Sequence, residues 1–237
     1  MKISVITVVL NAAQHIGPTL QSVLDQKKAD FECIVFDGGS TDGTWEIVCD
    51  IAKRHPGKIK SFQGIDSGIY DAMNQAIPYA VGHYVTFLNA GDRYHEDDAL
   101  QNLTPHMGKG YEAIVCNPIR YNGSGKRLLV HQKKLNYVWI TGLCHQTVFF
   151  KNKDIRFKTE FRLAADFRLI WECFHRSNGN FYYCDKHVIE YMDGGLSDRK
   201  SRQVYREIIS ILIQSKFHPW YSKIINLPLY AARMLRG

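Results

Sequence analysis

Tyr84-Val-Thr-Phe-Leu-Asn-Ala-Gly-Asp92 is the stretch on which the reading of this chain turns. Residues 84 to 88 are apolar or β-branched, the composition of a buried strand. Asn89-Ala-Gly91 has a turn composition, so the strand stops there and delivers Asp92 at its carboxyl end. In open α/β sheets ligands bind just beyond that end. A carboxylate so placed can hold a divalent cation, and the cation can hold a diphosphate. A strand ending in Asp also reads as a plain turn or cap, and Glu96, Asp97 and Asp98 are expected to start the next helix.

The segments before this strand alternate. Ile3 to Leu10 reads as a strand, and Ile16, Leu20, Val23 and Leu24 keep helical spacing over residues 15 to 26. Phe31 to Phe36 is a second strand, followed by a helix from Thr44 to Arg54 with Thr41 or Asp42 as its cap. Ile59 to Gln63 is a third strand, and a helix from Ile69 to Ala80 ends at Gly82. This order means a parallel, doubly wound sheet. After Asp92 the alternation loosens. A short strand is expected at Ala113 to Asn117, and a hairpin over Arg120 to Lys133 around Asn122-Gly-Ser-Gly125. Thr147 to Lys151 is a strand, Phe167 to His175 a helix, and Phe181 to Tyr183 and Val188 to Tyr191 are separate extended pieces. Helices are expected over 200 to 216 and Lys223 to Arg236, the second interrupted by Pro228.

A chain of 237 residues holds one α/β domain, or one domain and an appendage. The apolar N-terminal run ends after eight residues without a small-residue cleavage site, so it reads as a first strand and not a signal peptide. No window reaches the length of a transmembrane helix. The six cysteines (33, 49, 116, 144, 173, 184) form no Cys-x-x-Cys pair, and read as reduced, mostly buried thiols of a cytoplasmic protein. Net charge is +7, and from Arg199 onward eight Lys and Arg stand against Glu207 alone, so residues 1 to 198 are formally neutral. A neutral body with a basic tail suggests an anionic surface for the tail to meet.

Asp37-Gly-Gly-Ser-Thr-Asp-Gly-Thr44 closes the second strand. Its glycines and short polar side chains let backbone amides and a carboxylate face a ligand at the sheet edge. Asp37 there can accept from a base N–H or a ribose hydroxyl. No Gly-Lys-Ser/Thr follows, so this is not a Walker loop. No Gly-x-Gly-x-x-Gly follows the first strand, which argues against a dinucleotide cofactor. Asp66-Ser-Gly-Ile-Tyr-Asp-Ala-Met-Asn74 sits at a helix start, where Asp66 or Ser67 can cap and Asp71 suits the dipole. A functional reading has one face of this helix pointing at the ligand crevice.

Together, Thr-Val-Val-Leu-Asn11, Asp37 to Thr44, Asp66 to Asn74 and Phe-Leu-Asn-Ala-Gly-Asp92 resemble glycosyltransferase family 2. Cys144-His-Gln-Thr-Val-Phe-Phe150, Ala164-Ala-Asp-Phe-Arg-Leu169 and Gly194-Gly-Leu-Ser197 resemble a bacterial branch of it that builds O-antigen, colanic-acid-like and capsular polysaccharides. The likeness covers roughly residues 2 to 198. It implies a GT-A (nucleotide-diphospho-sugar transferase) fold: a doubly wound, mostly parallel sheet, a smaller mixed acceptor-side region and C-terminal helices. The implied division is 1–100 for the nucleotide, 101–198 for the acceptor, and 199–237 as basic amphipathic helices.

The resemblance also implies roles. Thr7 and Val8 lie beside the nucleotide, Asp37 bonds the base, and Asp66 approaches base or ribose. Asp92 matches the last carboxylate of an Asp-x-Asp metal motif, with Asn89 and Gly91 where acids often stand. An ion there, Mn²⁺ or Mg²⁺, takes most of its ligands from the donor diphosphate and water. Asp166 matches the catalytic base of an inverting transfer, although by local sequence it also reads as a helix N-cap. His145 and Gln146 face the donor sugar or the acceptor. Gly194-Gly-Leu-Ser197 permits close approach to a diphosphate, and Arg199 and Lys200 can neutralise the leaving group.

The expected activity is therefore a metal-dependent inverting glycosyltransferase. It moves a sugar from a nucleotide-diphosphate sugar, a UDP-sugar for preference, to a polyprenyl-diphosphate-linked saccharide at the cytoplasmic membrane face. The basic, aromatic tail suits a peripheral membrane contact; its alternative is packing on the catalytic domain or on a dimer partner. Sugar-phosphate nucleotidyl transfer would want an Arg/Lys-bearing Gly-rich loop where Asn11-Ala-Ala-Gln14 stands. Nucleic-acid binding would want an extended basic face, which the neutral body lacks.

Overall fold

The structure, a computed structural model, describes residues 1–121, 127–132, 143–192 and 201–216, with Pro228 and Ala231. Its first half is the expected alternation: β1 (Ile3–Val9), α1 (Ala13–Leu24), β2 (Phe31–Asp37), α2 (Thr44–Arg54), β3 (Ile59–Gln63), α3 (Ile69–Ala76) and β4 (Tyr84–Phe87). These strands run parallel in the order β3-β2-β1-β4. Successive strand side chains point to opposite faces. Ile6, Val8, Ile34, Phe36, Val85 and Phe87 pack with α3 on one face, and Ile3, Val5, Cys33, Val35 and Tyr84 pack with α1 on the other. Burial on both faces is why β1 and β4 read as apolar or β-branched runs, while edge strand β3 is buried only at Ile59. Val9, Asp37 and Gln63 share one register row, so the carboxyl ends of β1, β2 and β3 form a common rim.

The second half extends the same sheet with mixed pairing. The remaining strands are β5 (Arg93–Tyr94), β6 (Ala113–Tyr121), β7 (Arg127–Leu129), β8 (Val148–Lys151) and β9 (Phe181–Met192). β8 pairs antiparallel with β4 and β6, β9 parallel with β6, and β5 antiparallel with β9. β7 pairs antiparallel with β6 as the expected hairpin, whose 122–126 turn lies outside the described residues. α4 (Ala165–Arg176) and α5 (Ser201–Gln214) complete the described elements.

Four expectations are corrected. α3 stops at Ala76, and Pro78 leaves Ile77–Tyr79 as a 3-10 turn. Glu96, Asp97 and Asp98 start no α-helix, only turns and a 3-10 piece at Gln101–Leu103. Buried Gln26 takes the Glu96 carbonyl and the Leu100 N–H, groups a helix would pair internally. β6 runs on to Tyr121, because β7 and β9 both pair its far end. The two pieces expected after 180 are one strand, irregular in register between Tyr183 and Ile189, where polar Asp185 and Lys186 broke the pattern.

α5 sinks Ile208, Ile211 and Leu212 into the core shared by α3 and α4. The first part of the tail is therefore packed on the domain. The helix expected from Lys223 lies outside the described residues apart from Pro228 and Ala231. No helix among the described residues is long and apolar enough to cross a membrane. The six cysteines are free, four of them buried. Far from the rim, the buried Glu32 carboxylate accepts from Ser4 Oγ (2.6 Å), Val81 N (2.8 Å) and Lys60 Nζ (2.8 Å). Burial raises its pKa, but Lys60, Ser4, Val81 and Lys2 outweigh that and hold it at about 2.

Candidate functional site

Asp37 ends β2 fully buried. Its Oδ1 accepts from the backbone N–H of Gly39 (2.8 Å) and Ser40 (2.7 Å) and from Gln63 Nε2 (3.3 Å). Its Oδ2 has no partner. The Gly-rich turn thus fixes the carboxylate through one oxygen and leaves the other for a ligand. A Cβ on Gly38 would lie 2.2 Å from Asp66 Oδ2, so only glycine lets Asp66 sit against this turn. Asp66 Oδ1 accepts from Gly68 N (2.9 Å), which holds the side chain at the start of α3. The loop after β1 is tied to the same turn. Asn11, in the left-handed region at φ 50°, donates its N–H to Ser40 Oγ (2.8 Å) and accepts from Thr41 N (2.9 Å). The N-cap of α2 is Gly43, not Thr41 or Asp42, since the chain enters the helix through a left-handed residue at φ 93°; Asp42 Oδ1 accepts from Thr44 N (3.1 Å) from just before the cap.

Asn89-Ala-Gly-Asp92 leaves β4 in a tight turn, with Asp92 N donating to Asn89 O (3.1 Å) and Gly91 at φ 100°. Thr19 of α1 pins it from below: Gly91 N donates to Thr19 Oγ1 (2.9 Å), and Thr19 Oγ1 donates to Asp92 O (2.8 Å). The Asp92 side chain is nearly buried; its Oδ1 accepts from Met192 N (3.1 Å) and the carboxylate also accepts from Gln146. Burial raises its pKa to about 6 against the lowering pull of Gln146, Met192 and His145. A cavity of about 220 Å³ opens beside it between α1 and β9, lined by His15, Thr19, Gly91, Asp92 and Met192 among others.

His145–Thr147 forms one 3-10 turn ahead of β8. Neighbouring residues of this turn reach the two acids. Gln146 meets Asp92, and His145 Nδ1 lies 3.0 Å from Asp166 Oδ2. Asp166 stands in the first turn of α4, where Oδ1 accepts from Phe167 N (2.8 Å) and from Tyr70 OH (3.0 Å). Burial raises the Asp166 pKa, yet the His145 ring, the Phe167 N–H and the Tyr70 hydroxyl outweigh it, and the carboxyl sits below its ordinary range. Burial first, and then Asp166, pushes the Tyr70 phenol up, so it keeps its proton. α3 is fixed against the segment before α4 by Asn74, which exchanges both side-chain hydrogen bonds with the Phe157 backbone at 2.8 Å. Asp166 is not the N-cap of α4, a position held by Ala164. Glu207 of α5 accepts instead from the N–H groups of Arg162, Leu163 and Ala164 at 2.8 to 3.1 Å.

The structure thus brings Asp92, His145, Gln146 and Asp166 together, and places Asp37 beside Asp66 on the adjoining rim. Thr7 and Val8 lie inside β1; Thr7 Oγ1 is buried without a partner, and Val8 packs in the core. Arg199, Lys200 and Gly194 to Ser197 lie outside the described residues. Sequence reasoning gave no role to Tyr70, Thr19 or Glu207. Thr19 was signalled by a hydroxyl in the buried stripe of α1, and Glu207 by being the lone acid of a basic tail.

Five buried side-chain atoms of the expected site residues lack partners: Thr7 Oγ1, Asp37 Oδ2, Asn89 Oδ1, His145 Nε2 and Gln146 Oε1. Each such atom costs about 1–3 kcal/mol when it stays unpaired. Such atoms are available to a ligand or an ordered water. No group of three or more His, Cys, Asp or Glu converges on a cation position among the described residues. The turn offers the Asp92 carboxylate and, three residues before it, the unpaired Asn89 Oδ1, oxygens of the kind that suit an ion drawing its other ligands from phosphate and water.

Residues 4–187 match the profile described as Glycosyl transferase family 2. The chain is a family 2 glycosyltransferase. This family 2 enzyme is 28% identical over 210 residues to a PGL/p-HBAD biosynthesis glycosyltransferase of Mycobacterium bovis, covering 82% of this chain and 78% of the relative. Over 101 residues it is 38% identical to the putative teichuronic acid biosynthesis glycosyltransferase TuaG of Bacillus subtilis, covering 43% and 40% of the two chains. Among solved structures, S. aureus TarS in complex with UDP-GlcNAc superposes with TM-score 0.73 at 20% identity, over 100% of this chain and 73% of TarS. The Pyrobaculum calidifontis mannosyltransferase PcManGT, in complex with GDP-Man and Mn²⁺, gives 0.71 at 17% identity, over 99% and 74%. The fold is GT-A, and membership places the chain with glycosyltransferases rather than nucleotidyltransferases.

Proposed function

We propose that this glycosyltransferase moves one sugar, with inversion, from a nucleotide-diphosphate sugar to a hydroxyl of a lipid-linked saccharide. The observation that carries this reading is the single turn, His145-Gln146, that binds Asp166 with one residue and Asp92 with the next. Asp92 serves the leaving-group side and Asp166 the incoming hydroxyl, with this turn as the link between the two acids. Asp37 Oδ2 and the adjacent Asp66 are acceptors only, suited to the N–H of a base and the hydroxyls of ribose. Gln146 Oε1 is a further bare acceptor, suited to a sugar hydroxyl. A UDP-sugar is favoured, in keeping with TarS and its UDP-GlcNAc complex.

Asp92 and Asn89 are the residues that would hold Mn²⁺ or Mg²⁺. When bound, such an ion neutralises charge on the departing diphosphate. Asp166 takes the acceptor proton as the acceptor oxygen bonds to the anomeric carbon and the carbon–oxygen bond to the diphosphate breaks, the electron pair leaving with the diphosphate. Tyr70, Phe167 N and His145 hold the Asp166 carboxylate ionised for that step. Arg199 and Lys200 follow the last strand and supply cations to the leaving group; changing both to Ala raises the donor KM or lowers kcat.

The acceptor is a polyprenyl-diphosphate saccharide at the cytoplasmic membrane face, met by the basic tail. Thermal unfolding with UDP, GDP and dTDP, with and without Mn²⁺, tests the donor side. UDP at a hundred times its Kd stabilises by about 2.7 kcal/mol, a shift of several degrees for a chain of this size. No shift with any nucleotide refutes the reading. Co-sedimentation with anionic vesicles, full chain against a chain ending at 216, tests the tail; equal binding refutes the membrane contact.

A further inference from the structure

A carboxylate offers about four lone-pair positions, two on each oxygen. On Asp166 three are filled. Oδ1 accepts from both Tyr70 OH and Phe167 N, and Oδ2 accepts from His145 Nδ1. We propose that Tyr70 and His145 are positioning residues that leave Asp166 a single open lone pair, on Oδ2, to receive the acceptor proton. This rests on Asp166 being the base.

Three further observations support it. The two donors come from separate elements, α3 and the turn before β8, and each is anchored elsewhere. The Tyr70 ring stacks on Phe157 at 5.3 Å between centroids, and Asn74 clamps the Phe157 backbone. The turn carrying His145 is held through the Gln146 carbonyl, which accepts from Thr86 Oγ1 (3.3 Å). The carboxylate therefore cannot rotate to present its other oxygen without breaking three bonds. Second, Tyr70 only donates, because burial and the neighbouring carboxylate keep its proton in place. Third, the remaining groups facing this point do not compete. The Cys144 thiol is neutral, pushed by burial to about 12, and the Glu207 carboxylate is occupied by three backbone N–H groups of the α4 start.

The step balances: the acceptor O–H breaks, its proton goes to Oδ2, the acceptor oxygen bonds to the anomeric carbon, and the diphosphate departs with the electron pair.

The test uses the full chain in two measurements. The first needs no donor. Long-range ¹H–¹⁵N spectra, with His145 assigned by its loss in His145→Asn, are expected to show the His145 proton on Nδ1; a bare Nδ1 with the proton on Nε2 overturns the proposal. The second follows nucleotide release from the best-used member of a panel of UDP-, GDP- and dTDP-sugars with Mn²⁺. Tyr70→Phe and His145→Ala are expected to lower kcat about 10- to 100-fold with donor KM nearly unchanged. Both move the acid limb of the kcat profile upward, since a carboxylate that loses a donor holds its proton more tightly. His145→Asn, which keeps an N–H near the Nδ1 position, restores part of the rate. Acid limbs left at the wild-type pH, with kcat within about twofold, overturn the proposal. Asp166→Asn separates the two claims: if it turns over like wild type the base reading falls, and if it is inactive while Tyr70→Phe and His145→Ala behave as wild type, only the positioning role falls.

Discussion

Replacing Asp92 by Asn should make the metal-free protein more stable at alkaline pH while abolishing transfer. The magnitude follows from burial. Asp92 is nearly removed from water, and its pKa rises from the ordinary 3.8 to about 6. At 1.4 kcal/mol per pH unit that gap is about 3 kcal/mol. The sign runs against the usual carboxylate. The folded state holds this proton more tightly than the unfolded state, so stability falls as pH rises through the window from 3.8 to 6, and the full cost is present above it. Asn accepts from Gln146 and Met192 without charge and escapes the cost. Urea unfolding in EDTA at pH 8 and pH 4 measures it. The gain from Asp92→Asn is expected to be larger at pH 8 than at pH 4 by about 2–3 kcal/mol. Taking the difference between pH values removes any packing change caused by Asn itself, as well as the acid sensitivity that both proteins share. An equal gain at both pH values would refute the reasoning, since the carboxylate would then be solvated or already neutralised. Mn²⁺ with UDP should stabilise the wild type and lose that effect in the variant. A site that is costly when empty and favourable when loaded is the usual trade between stability and activity.

Gly38→Ala should leave the fold nearly intact, because the atom in its way is the end of the Asp66 side chain. Displacing that carboxylate should weaken UDP about tenfold by calorimetry; unchanged affinity would remove Asp66 from the nucleoside site. Glu32→Gln should cost about 1–3 kcal/mol at pH 7, allowing for half-exposed Lys60 and Lys2. Because the folded pKa of about 2 lies below the ordinary 4.5, that stability is present above 4.5 and lost as pH falls toward 2. Urea midpoints of the two proteins should therefore converge in acid, and a constant gap would contradict this. The ¹H coupling constant at the new anomeric centre should show inversion relative to the donor; retention would mean that Asp166 does not act as a simple base.

The parallel half of the sheet was legible because β1, β2 and β4 are buried on both faces and the turns after β2 and β4 are rich in Gly, Asn or Asp. Those are local signals, and they also brought out Asp37, Asp66 and Asp92. The α-helix expected after Asp92 failed for a non-local reason, the capture of its backbone groups by Gln26, two residues past the end of α1. The same limit applied within the site. Tyr70 and Asp166 are 96 residues apart, and nothing local says that they meet. Asp166 looked like a cap because a cap was needed there; Glu207, more than forty residues downstream, supplies it. His145 was recognised by its neighbours in sequence, but its partner emerged only when α4 packed against the turn.

The most direct measurement is nucleotide release by wild type and Asp166→Asn across a panel of nucleotide sugars with Mn²⁺, alongside UDP affinity for both. Wild type should turn over at least one donor, and the variant should bind UDP equally while its rate falls by about 10² to 10⁴. A variant that binds UDP and turns over at the wild-type rate would contradict the assignment of the proton to Asp166.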